Sequence, residues 1–386
     1  MNITFYSTGA IFDRAHDTGG VKRFRELYSE FSKLGVNSIL CSADDPFLTD
    51  LAGKKFYSLE QEKNTKHIFP QDYYNYRKNK KRIQELRNIP DNRVVVFDVP
   101  NCIGLVLARV PNIVLFIRQD LIGYKKIYLK EAGVNLFKRG FLFMLFWVSE
   151  CFCFIKVRKM HVQCRYDLEV IKARHKILAN TIERKTTVQI NNVNPSWLVE
   201  NRMKAQSLVP QPLFNNGYFT LGYVGDFSSN RKGYLLFITV LKKLLEQGYK
   251  VNAILVGKGS HLEECKEQLI TFKENVVFTG WVSNPAVYIR QCDLCVVPSF
   301  EDSCPNTVLE ALYNEIPVIG ANRGGIPEIL VDCNALFEPT ESDLYEKIVH
   351  YTNNNNIINL YNMQLKRKNE LSFNWTEKVG DFLFQS

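Results

Sequence analysis

At 386 residues, with 46% hydrophobic and 23% charged positions, the chain has a globular composition and enough length for two domains that each bury a core. That composition excludes a fibrous, collagen-like or disordered chain, and the one biased tract is the short run Asn353 to Asn356. A formal charge of +9 favours anionic partners, which include nucleic acid, acidic lipid head groups and the diphosphate of a nucleotide sugar, without choosing among them.

The amino terminus, MNITFYSTGA, has no basic region followed by an apolar core, so it reads as a buried strand over 3–7 and not as a secretion signal. A cytoplasmic protein is expected. A helix near 21–34 and a strand at 38–42 follow, and further short β-branched runs at 94–98, 113–118, 161–163 and 188–190 alternate with stretches of helical period. This is the pattern of parallel βαβ units. After a stretch with four Pro or Gly residues between Pro195 and Gly217, the alternation restarts at 219–224 and continues at 252–256, 275–278, 294–298 and 317–320. The fold class expected is α/β with two doubly wound domains, the first over 1–200, a linker over 201–217 and the second over 218–365. No period of 20 to 50 residues repeats, which argues against a solenoid.

The ten cysteines sit mostly in apolar runs, as Cys41, Cys151, Cys153 and Cys333 do, where a reduced thiol acts as a small hydrophobe. The pair Cys292 and Cys295 forms a CxxC, but Cys295 falls inside the strand-like CVVPS and no second pair or histidine couple follows. A structural role is therefore expected for it and no metal site. The apolar segment FLFMLFWVSECFCFI, 141–155, is bounded by Lys138 and Arg139 on one side and by Lys156, Arg158 and Lys159 on the other. Fifteen residues fall short of the roughly 20 that a membrane span needs, and Glu150 would sit badly in lipid. Two readings stand together: a helix packed in the first domain, and a helix lying on a membrane with its basic flanks on anionic lipid.

The stretch richest in chemistry is LCVVPSFEDSCPNTVLEALYNEIPVIGANRGGIPEIL, 294–330. Two apolar strands bracket a helix, and each strand ends in a polar or glycine-rich loop. In an open parallel sheet such loops face one ligand crevice at the carboxyl ends of the strands. Asp302 lies in the first loop and Glu310 in the helix eight positions later. The unpaired amides of the helix start suit a phosphate, whereas carboxylates suit the hydroxyls of a ribose or hexose.

This stretch resembles the donor-binding signature of the family 4 retaining glycosyltransferases: an acid, seven residues, Glu310, a proline-led strand, and the loop of Gly324 and Gly325. The resemblance implies a metal-independent GT-B fold, two Rossmann-like domains facing each other across a cleft, with residues 366–386 a C-terminal helix returning to the acceptor-side first domain. It makes the first acid a contact to the donor sugar, Glu310 a ligand of the ribose, and the stretch through Ser303, Cys304, Asn306 and Thr307 a source of contacts to sugar and phosphate. Glu301 rivals Asp302 as first acid, but only Asp302 keeps the eight-residue offset.

Other motifs fall in the family's order. Gly19 and Gly20, in DTGGVKRF, match the loop that lets backbone approach the donor phosphates. In LGYVGDFSSNRKGY, Lys232 stands at the lysine that meets the diphosphate; Asp226 replaces the usual arginine and Arg231 stands beside Lys232. Two cations there would offset the leaving group's charge. LVGKGSHL supplies Gly257, and VVFTGW ends at Trp281 near the expected base; Leu262 breaks the GxGxxG of a dinucleotide site. No D-x-D triplet offers a diphosphate metal, and no cofactor is expected beyond the donor itself. Where the family often has a histidine, this chain has Arg118, Gln119 and Asp120, so Arg118 joins Asp302 and Lys232 as the expected catalytic set, with His16 a weaker candidate. The partners implied are a nucleotide-sugar donor, a saccharide or lipid-linked acceptor for which Tyr73 to Arg82 offers aromatic and basic groups, and an anionic membrane surface. Basic residues are scattered without an aromatic-rich signature, so no nucleic-acid partner is expected. The competing readings are a nucleotide-sugar epimerase or phosphorylase of the same shape, and a non-catalytic partner of another transferase.

Overall fold

The computed structural model describes residues 2–8, 19–33, 37–42, 55–59, 71–131, 133–207 and 211–384. The chain divides into two compact units, one of residues 1–129, 133–189 and 376–386, the other of residues 130–132 and 190–375.

The first unit is built on a seven-stranded sheet: β1 (Asn2–Tyr6), β2 (Asn37–Ser42), β3 (Lys55–Leu59), β4 (Asn92–Phe97), β5 (Ile113–Ile117), β6 (Lys159–Val162) and β7 (Thr186–Val188), in the order 3-2-1-4-5-6-7. Every pairing is parallel. The inner strands NRVVVF and IVLFI are buried along their whole length, as strands covered by helices on both faces must be. The strand order reverses between β1 and β4. The loops after these two strands therefore diverge and leave a crevice at their carboxyl ends.

The second unit repeats the plan with six parallel strands: β8 (Phe219–Val224), β9 (Val251–Val256), β10 (Val276–Gly280), β11 (Leu294–Val297), β12 (Val318–Ala321) and β13 (Leu336–Phe337), ordered 10-9-8-11-12-13. Its reversal falls between β8 and β11, and one core draws its buried residues from Val193 to Leu371.

Several boundaries differ from those the sequence suggests. Residues 201–207 form the end of a helix, Ser196–Ser207, whose leucine, glutamate, arginine and lysine favour helix; the Pro and Gly residues lie only at its flanks. The helix Asn354–Glu370 runs unbroken past residue 366, and the piece grouped with the first unit is the later helix Trp375–Phe384 from Thr376 on. The asparagine run caps that longer helix: the Asn353 side chain accepts from the Asn355 amide at 3.0 Å. Cys333 is exposed in a 3-10 turn and is no core residue, because the turn follows directly on Val331 and Asp332 at the surface. The apolar segment is a single helix, Leu136–Lys156, longer than the run 141–155 because Asn135 caps it one turn earlier through the Lys138 amide at 2.9 Å.

Candidate active site

At the switch point of the second unit the loops after β8 and β11 are stitched together. The Phe300 amide donates to the Arg231 carbonyl at 2.9 Å, and Arg231 Nη1 donates to the Glu301 carbonyl at 2.8 Å. The chain can turn from β8 into the helix Tyr234–Glu246 because Gly233 has φ 72°; a Cβ there would overlap the Pro298 carbonyl. This turn carries the Lys232 ammonium onto Asp302 Oδ2, with Arg231 Nη1 3.9 Å from the same oxygen. Burial lowers the Lys232 pKa below its usual value, and the nearby Asp302 carboxylate opposes that shift without cancelling it. Of the two rival acids, Glu301 offers Arg231 a backbone carbonyl, whereas Asp302 turns its carboxylate to the basic pair.

The remaining loops close on the same spot. Gly324, φ 59°, sits where a side chain would overlap the Asp302 carbonyl, and the Gly325 amide donates to that carbonyl at 2.8 Å. Gly257 lets the loop after β9 pack on the Gly225 carbonyl. Thr307 Oγ1 donates to the Val224 carbonyl at 3.2 Å, fixing the helix Asn306–Tyr313 to the end of β8. That helix begins just past the buried Ser303 and Cys304 and carries Glu310, which is 8% exposed. Asp226, standing where the arginine was expected, accepts the Ser228 amide at 3.1 Å and shapes the turn. Lys258 lies over the half-exposed Trp281 ring, 5.6 Å from its centroid.

In the first unit Arg118 follows β5 and Asp98 follows β4, the neighbouring strand at the reversal. Asp98 Oδ1 accepts the Arg118 amide at 3.0 Å and Oδ2 accepts Nε at 2.7 Å, with Nη2 closing the fork. The guanidinium fills the space that a Cβ on Gly20 would need. Arg118 and Gly20 were legible in the sequence but Asp98 was not, its one signal being an acid at a strand's carboxyl end immediately before VP. Asp98 also has φ 65° and ψ 150°, a region nearly confined to glycine, so strain is held at this position. A cavity of about 190 Å³ opens beside it, lined among others by Gln119, Tyr124, Lys125 and Glu150.

Asp120, in the stretch where the family often has a histidine, is buried: it pairs with Arg174 and accepts the Gly123 amide at 3.0 Å. Arg174 also holds Glu150 Oε2 at 2.9 Å, and His175 Nε2 stands 2.7 Å from that oxygen. Lone acids within apolar sequence give the only hint of such a network, since their partners lie 24 to 54 positions away. His16 lies outside the described residues, as do the side chains of Tyr73 and Tyr74. Cys292 and Cys295 are buried together against Gly222, and contact with Cys295 and burial push the Cys292 thiol well up, which disfavours the thiolate a metal would need. Among the described residues no group of three or more His, Cys, Asp or Glu could hold a metal ion.

Residues 218–354 match the model of the family described as Glycosyl transferases group 1. The chain is 23% identical over 233 residues to the capsular polysaccharide biosynthesis glycosyltransferase CapM of Staphylococcus aureus, covering 57% of this chain and 58% of that one. It is 25% identical over 183 residues to Protein CapJ of the same organism, 42% of this chain and 46% of that one. The chain thus spans about half the length of these curated relatives. Among solved structures, Anabaena Alr3699/HepE in complex with UDP-glucose superposes with a TM-score of 0.67 at 16% identity over 99% of this chain and 98% of that one. WaaG, a glycosyltransferase involved in lipopolysaccharide biosynthesis, superposes with a TM-score of 0.69 at 16% identity over the full length of both. The chain has the GT-B fold of two Rossmann-like domains, and within it residues 218–354 are similar to the glycosyl transferases group 1 family.

Proposed function

We propose that the chain is a retaining, metal-independent glycosyltransferase of the family 4 type. It moves a hexose-type sugar from a nucleotide-diphosphate sugar to a saccharide or lipid-linked saccharide, in surface polysaccharide synthesis at the cytoplasmic face of the membrane. The observation that carries this reading is the pairing of Lys232 and Arg231 with Asp302 at the switch point of the second sheet. The curated relative CapM, a capsular polysaccharide glycosyltransferase, and the solved complex of Alr3699/HepE with UDP-glucose support the donor and product classes.

A diphosphate competes with Asp302 for the two cations. As it takes them over, the Asp302 carboxylate is released to accept hydroxyls of the sugar, and Glu310 accepts those of the ribose. The cations then offset the charge that develops as the bond from the anomeric carbon to the phosphate oxygen breaks. The acceptor oxygen forms its bond to that carbon on the face the phosphate leaves, and its proton passes to the departing phosphate oxygen. Retention follows, and no protein base is required. Within the first unit, Asp98 holds the Arg118 guanidinium at the carboxyl end of β5.

The test is a thermal-shift screen of nucleotide sugars, followed by transfer assays on the donor that raises the melting temperature, with and without chelator. Glu310→Ala should raise the donor KM or abolish transfer. Unchanged transfer by this variant refutes the assignment of Glu310, inversion at the anomeric carbon refutes retention, and loss of activity in chelator refutes metal independence.

A further inference from the structure

The helix Leu136–Lys156 is held in one rotational setting by its inner face. Glu150, 1% exposed, meets Arg174 and His175, while Cys153 and Phe154 are buried in the core of the first unit. That setting leaves a continuous apolar stripe outside. Phe137, Phe141, Met144, Val148, Phe152 and Ile155 recur at steps of three and four and are all exposed, Phe137 to 93%. Over 21 residues the stripe is about 30 Å long. A face of this size is expensive to leave in water and marks an interaction surface.

Charge identifies the occupant. The helix's one acid is the buried Glu150, so the outer face carries cations alone: exposed Lys138 near its start, and exposed Lys156 and Arg158 at its end. A second copy of the chain packed on this stripe would set cation against cation in either direction, parallel or antiparallel. No described helix is long and apolar enough to cross a membrane. We infer that this helix docks the chain on an anionic bilayer surface, with the stripe in the interface between head groups and acyl chains and the basic ends on lipid phosphates. The half-exposed Trp147, stacked on His175 at 5.5 Å between ring centroids, has the amphipathic character that favours this depth.

The inference does not depend on sugar transfer, and flotation without any nucleotide sugar tests it by itself. The full chain is mixed with vesicles of pure phosphatidylcholine and with vesicles containing about one third phosphatidylglycerol, and the floating fraction is measured. The chain should float with the anionic vesicles, and less as salt rises from about 0.1 to 0.5 M. The triple substitution Phe137→Ser, Met144→Ser and Phe152→Ser should cut partitioning at least about a hundredfold. The double substitution Lys138→Glu and Lys156→Glu should cut it about tenfold or more on anionic vesicles alone. Ile270→Ser, which removes an exposed apolar side chain in the second unit, should change nothing. If the triple variant does not fold, Phe137→Ser alone, at the most exposed position of the stripe, should still lower partitioning about tenfold. Failure of the chain to float with either vesicle, undiminished flotation of the stripe variants, or a dimer in solution that these variants abolish would overturn the inference.

Discussion

Replacing Gly324 with alanine tests whether the loop after β12 sets the position of Asp302. Gly324 has φ 59°, and a Cβ there would overlap the Asp302 carbonyl oxygen and stand 3.0 Å from its carbon. The left-handed conformation alone costs an alanine about 1–2 kcal/mol. Relief of the overlap requires the Asp302 carbonyl to move, which breaks the hydrogen bond it accepts from Gly325 and costs about 1 kcal/mol more. Gly217 is the control, with φ 67° and nothing within 4 Å of its Cβ, so Gly217→Ala bears only the conformational cost. For a unit the size of residues 190–375, each kcal/mol lowers the melting temperature by about 2–4 °C, so Gly324→Ala should melt a further 2–4 °C below the control. The ligand response separates the two variants more sharply. A displaced Asp302 no longer meets the hydroxyls of the donor sugar, so the donor Kd should rise at least about tenfold in Gly324→Ala, a loss of about 1.4 kcal/mol, and stay unchanged in Gly217→Ala. Calorimetry with and without the nucleotide sugar reads both quantities. Equal melting temperatures and equal ligand shifts for the two variants would refute the claim that this loop positions the acid.

Two further outcomes follow from the first unit. Asp98→Gly loses the Arg118 ion pair but relieves about 1–3 kcal/mol of backbone strain, so it should be more stable than Asp98→Ala, which loses the pair and keeps the strain, while transfer activity falls in both because Arg118 loses its fork; activity equal to the parent would show that Asp98 does not hold Arg118 in a working position. His161, buried between Phe116 and Phe382, has its pKa lowered from 6.5 to about 3 by burial, so the folded state holds it neutral while the unfolded state takes up a proton. The stability this contributes is complete above about pH 6.5 and is lost as pH falls from there to about 3, by about 1.4 kcal/mol per unit. Chemical denaturation across that window should show a shallower acid slope for His161→Phe, and an identical slope would refute the assignment.

Strand alternation was legible because parallel strands covered on both faces run apolar through their centres, as VVVF and IVLFI do. β3 and β13 escaped notice for opposite physical reasons. KFYSL is too polar to read as a buried run, and LF is too short to show a period. Glycine positions were legible where backbone approaches backbone, since Gly257, Gly324 and Gly325 each lie where a loop crosses another loop. The counter-ions were not. Asp98 lies 20 positions before Arg118, and Lys232 lies 70 before Asp302, separations set by strand order and by no local spacing. Yet each cation stands at the carboxyl end of a parallel sheet where its neighbours partly desolvate it, and a desolvated cation without a partner is unfavourable. The fold must therefore bring an acid to each. In the second unit that acid is also the one expected to contact the sugar, so on the proposed mechanism Asp302 would keep Lys232 paired until a diphosphate displaces it. An aspartate suits that exchange better than a glutamate, because its shorter side chain reaches Lys232 from a carbonyl already pinned by Gly325.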